Sequence, residues 1–79
     1  MKKNTYHVII HADLQPDATV DLVQLRRLSG IETVYELHRQ NALLIFAGGD
    51  DAEVCYTLVA KLKKTPGIAL VAPRYLFSM

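Results

Sequence analysis

The ten residues from Leu25 to Val34, LRRLSGIETV, return in altered form from Leu62 to Val71 as LKKTPGIALV. Both copies run from leucine through two bases to a glycine and then into an apolar-rich stretch. An echo at this offset in a chain of 79 residues divides it into two units of similar size, each using the phrase at the same point. Bases followed by glycine mark the end of a helix: the cations face the negative pole of the helix dipole, and glycine takes the left-handed conformation that closes it. The apolar run after each glycine is then a strand. The chain is read as two helix–glycine–strand passages, with a further strand preceding each.

The rest of the sequence supplies those strands. Tyr6 to Ala12, YHVIIHA, is β-branched and aromatic and predicts the first strand. Pro16 breaks it, Asp17 is the expected N-cap of a helix running to about Leu28, and Asp21 favours its first turns. Ala18, Leu22 and Leu25 form its apolar stripe, extended by Leu28, and Gly30 ends it. Ile31 to Leu37, IETVYEL, alternates as a half-exposed strand. HRQN turns the chain, and Ala42 to Ala47, ALLIFA, predicts the hairpin partner. Asp50 and Glu53 stand at capping-box spacing ahead of a second helix to about Lys64. That helix buries Cys55, Leu58, Val59 and Leu62, with Lys61, Lys63 and Lys64 at its C-terminal end. Pro66 and Gly67 stop it before a last strand, IALVAPRYLF, where Pro73 removes a ladder donor and so marks an edge strand. The order β-α-β-β-α-β is an α+β, ferredoxin-like split βαβ sandwich. It is a single domain over residues 1–79, with an antiparallel sheet in strand order 4-1-3-2 and both helices on one face. The other face is left open unless a partner covers it.

Composition narrows the function classes. The hydrophobic fraction of 51 % against 22 % charged residues is that of a folded chain, and a formal net charge of +1 provides no general field for nucleic acid or an anionic membrane. One cysteine, Cys55, leaves no internal disulfide and no cysteine metal knuckle. The apolar run at Val8 to Ile10 is too short for a signal peptide, and nothing approaches a membrane span, so a cytoplasmic location is expected.

No catalytic set emerges. His7 and His11 share a face of the first strand but lie about 13 Å apart at a strand's rise, and His38 ends a strand not adjacent to theirs, so no metal is expected. Cys55 belongs to a core stripe without a neighbouring base to activate it. Asp50 and Asp51 would repel a phosphate from Gly48 and Gly49. The loop DLQPDAT lacks the glycines and arginine that acylphosphatase-like enzymes place after their first strand. Strands one and three carry two aromatics, Tyr6 and Phe46, and no Lys or Arg, unlike an RNA-binding sheet. The expectation is a non-enzymatic module without cofactors that binds a peptide or protein on the open sheet face or an edge. Its candidate contacts are His7, Ile9 and His11 on the first strand, Glu32 and Glu36 on one face of the second, and Arg74 and Tyr75 on the last.

The stretch LKKTPGIALVAPRY, with Pro66, Gly67, Ile68, Pro73 and Tyr75, resembles the C-terminal end of the NapD family, and the helix–glycine–strand step at Leu25 to Val34 extends the likeness loosely over most of the chain. The resemblance implies a ferredoxin-like cytoplasmic chaperone for the twin-arginine signal peptide of periplasmic nitrate reductase, bound while the molybdenum cofactor is loaded. LRRLSGIETVYEL also resembles the effector domains of Lrp/AsnC regulators, which implies a homodimer formed through sheets that binds amino acids between subunits. PGIALVAPRY is faintly similar to the ends of subtilisin propeptides.

Overall fold

The computed structural model describes residues 6–78, with side chains through residue 74. Four strands and two helices follow in the expected order: β1 (Tyr6–Leu14), α1 (Leu22–Arg26), β2 (Ile31–Leu37), β3 (Ala42–Gly49), α2 (Ala52–Lys63) and β4 (Ile68–Ser78), with a 3₁₀ turn at His38–Gln40. The sheet is antiparallel and ordered β2-β3-β1-β4, which is the split βαβ topology. No helix among the described residues is long and apolar enough to cross a membrane.

The core is one layer between the sheet and the helices. Val8, Ile10 and Ala12 of β1, Leu43, Ile45 and Ala47 of β3, and Val34 of β2 meet Leu25 of α1 and Cys55, Leu58, Val59 and Leu62 of α2. Burying side chains such as Ile10, Ile45 and Leu62, which are fully enclosed, contributes roughly 1.5–3 kcal/mol each. The two halves of the repeated phrase take the same shape: Gly30 and Gly67 both have positive φ, 97° and 91°, immediately before their strands. The echo is the pseudo-symmetry of the fold.

The first helix departs from its expected bounds. Asp17 does not cap it; Asp17 has φ 61°, at the third position of a turn closed by Ala18 N–H to Gln15 C=O, with Pro16 at the second. Proline followed by a positive-φ residue is the pattern of a type II turn, and aspartate tolerates the left-handed conformation. The cap is Asp21, whose carboxylate accepts from the Val23 and Gln24 amides. Thr19 and Val20, both β-branched, lie outside the helix ahead of that cap, and α1 is five residues long. The second cap also moves by one: Asp51, not Asp50, accepts from the Val54 amide, and Glu53 lies in the first turn without closing a capping box.

Edges and bulges complete the sheet. β4 is an edge strand, as Pro73 requires, and its register with β1 shifts between Ile9 and Ile10, whose partners are Tyr75 and Pro73. Arg74 is therefore the extra residue of a bulge, one of the few places where a sheet tolerates proline. The same ladder shifts again between Asp13 and Leu14, whose partners are Leu70 and Ile68, and a third irregularity interrupts β2, between Ile31 and Thr33.

Candidate functional site

The helix-free face of the sheet is built from alternate residues of each strand. β1 contributes His7, Ile9, His11 and Asp13, because Val8, Ile10 and Ala12 are committed to the core. Their β3 partners are Gly48, Phe46, Leu44 and Ala42. Across β3, Phe46 and Leu44 pair with Thr33 and Tyr35 of β2. The Tyr35 and Phe46 rings meet edge to face, with centroids 5.6 Å apart and planes at 70°. Tyr35 is 53 % exposed and Leu70, opposite Asp13 on β4, 59 %. Ile9, Leu44 and Phe46 are half-buried, so an apolar band crosses the face.

Polar groups bracket that band. At one end His7 Nδ1 donates to Glu32 Oε1 at 3.3 Å. The two residues lie on β1 and β2, with β3 between them, and the β3 residue in register with His7 is Gly48, which has no side chain. At the other end His11 lies with Nε2 3.4 Å from Gln40 Oε1 and Nδ1 3.5 Å from Asp13 Oδ1. Each imidazole is thus held by its own acid or amide, and the two do not converge. No group of three or more His, Cys, Asp or Glu among the described residues could hold a metal ion.

The bulge in β2 corrects the expected placement of its two glutamates. Ile31 packs against the core and so does Val34, three residues later, which needs one extra residue between them. Glu32 is thereby carried to the open face beside His7. Glu36, in register with the buried Leu43, remains on the helix side. There it lines a cavity of about 220 Å³ with Leu14, Ala18, Leu22 and His38, opened by the shortness of α1. Its Oε2 lies 3.3 Å from His38 Nε2. Glu32 and Glu36 flank the β2 edge from its two faces and do not form one patch.

Of the other candidate contacts, His7, Ile9, His11 and Glu32 are brought together on the open face. Arg74 is exposed at the β4 bulge, on the opposite edge from Glu36. The Tyr75 side chain lies outside the described residues; its backbone pairs with Ile9. Sequence reasoning missed Tyr35, Phe46 and Gly48, and the one available signal was a glycine inside a strand, which marks a close approach. Cys55 is buried among apolar side chains, and burial, aided by the carboxylates of Asp51 and Glu32, pushes its thiol above the ordinary 9.0. The chain matches no protein-family model, no curated protein and no solved structure.

Proposed function

We propose that this chain is a non-enzymatic peptide-binding module, a cytoplasmic chaperone of the NapD type that holds the twin-arginine signal peptide of a molybdenum-dependent reductase, such as periplasmic nitrate reductase, during maturation. The observation that carries this reading is the uncovered sheet face, with its apolar band of Ile9, Leu44, Phe46 and Tyr35 and with Glu32 and Asp13 at its ends. A signal peptide of this class has an apolar run and paired arginines, and the face offers an apolar surface and carboxylates. Exposed charge contacts of this kind are worth roughly 0.2–1 kcal/mol each, so they orient the peptide while apolar contact holds it. The resemblance at Pro66, Gly67, Ile68 and Pro73 supports the same assignment. Titrating isotopically labelled protein with a twin-arginine signal peptide tests it by backbone NMR. Saturable shifts on the sheet are the expected result, and a spectrum unchanged at high peptide excess rejects the proposal.

A further inference from the structure

We infer that the outer edge of β2 is a strand-addition site for an extended segment carrying two basic residues an odd number of positions apart; the inference rests on the peptide-binding reading above. β2 terminates the sheet, and alternate residues of such a strand direct N–H and C=O groups away from their neighbour, ready to pair with another chain. The other edge is less suited: in β4, Pro73 has no N–H, the register shifts twice where β2 shifts once, and Arg74 repels a basic partner.

Charge selects the occupant. Glu32 projects on the open face and Glu36 on the helix side, both exposed, and β2 carries no base. A second copy pairing β2 with β2 would line one seam with four carboxylates, and like charges across a ladder are destabilising. An added basic strand meets opposite charge instead. The β2 bulge absorbs one of the four steps between the glutamates, so their counterparts on a regular strand stand about three positions apart. Side chains at odd separation point to opposite faces, so one cation reaches Glu32 while the other reaches Glu36. Adjacent arginines in an extended segment also diverge to opposite faces, and their long side chains can span the remaining offset.

The test uses two synthetic Val/Thr-rich peptides of identical composition with two arginines, separated by three positions in one and by four in the other. Amide hydrogen exchange in the labelled full chain is the readout. The odd-spaced peptide is expected to bind more tightly and to slow alternate amides within Thr33–Leu37. The double substitution Glu32→Gln, Glu36→Gln is expected to weaken its binding about 2- to 30-fold, two contacts of the size exposed ion pairs reach, and to remove the spacing preference with the far-ultraviolet spectrum unchanged. Shifts confined to Ile9, Leu44 and Phe46, without protection of β2, would overturn strand addition and leave the peptide-binding reading in place. No shift with either these peptides or a twin-arginine signal peptide would overturn both. A protein dimer with β2 amides already protected would show that a second copy fills the edge, and would also overturn the inference.

Discussion

Glu32 and His7 are 25 residues apart in the chain and on strands that are not neighbours in the sheet, yet Glu32 Oε1 lies 3.3 Å from His7 Nδ1. Two backbone features allow it: the bulge that turns Glu32 to the open face and the absence of a side chain at Gly48 on the intervening strand. Because the pair is partly exposed, a double-mutant cycle with His7→Asn and Glu32→Gln, read by urea denaturation, is expected to give a coupling of about 0.2–1 kcal/mol. A coupling of the opposite sign, each residue destabilising the other, would overturn the pairing.

The same bulge shows where sequence reading stopped. Strict alternation through IETVYEL places Glu32, Val34 and Glu36 together, an apolar residue between two acids on one face. That mixture was itself a sign of broken parity, since Val34 belongs to the core and drags its face with it. One inserted residue reverses every side chain before it, and nothing in the residue types fixes where the insertion falls. The helix ends at Gly30 and Gly67, the edge position of Pro73 and the buried stripe of α2 were legible because each depends on one residue's own stereochemistry or on a period. The start of α1 was not, because Asp17 and Asp21 are both good caps and the turn at Pro16 decided between them.

The two aspartates make opposite predictions. Asp21→Ala removes the acceptor for the Val23 and Gln24 amides and is expected to destabilise the protein by about 0.5–2 kcal/mol. Asp17→Gly replaces a side chain held at positive φ by the residue that meets no steric cost there, and is expected to be neutral or slightly stabilising. Denaturation midpoints of the two variants check this; a larger loss for Asp17→Gly would restore Asp17 as the cap.

Gly49, at the end of β3, approaches α2 so closely that a Cβ built on it would stand 2.6 Å from Val54 Cβ and Cγ1. Val54 is β-branched and lies in the first turns of the helix, so it cannot rotate freely out of the way. Gly49→Ala is expected to cost about 1–3 kcal/mol by overpacking. The double variant Gly49→Ala, Val54→Ala is expected to recover part of that loss. Thermal melts distinguish this from a purely conformational role for the glycine, in which the second substitution would bring no recovery.

Cys55 is 2 % exposed, and burial, then the nearby carboxylates of Asp51 and Glu32, raise its thiol above the ordinary 9.0. Two consequences follow from the same cause. The thiolate is the reactive form, so a disulfide reagent at pH 8 is expected to label the folded protein at least about tenfold more slowly than the urea-unfolded chain. The raised value also couples folding to pH. Below the unfolded thiol's value both states keep the proton and the contribution to stability is complete. Above it the unfolded chain releases a proton that the folded one retains, so stability falls as pH rises toward the folded value. Unfolding free energies measured from pH 8 to pH 10.5 are expected to decline more steeply for the wild type than for Cys55→Ala, which loses the titrating group while keeping an apolar side chain in place. Parallel slopes would show that Cys55 ionises alike in both states, and equal labelling rates would show that α2 does not hold it in the core.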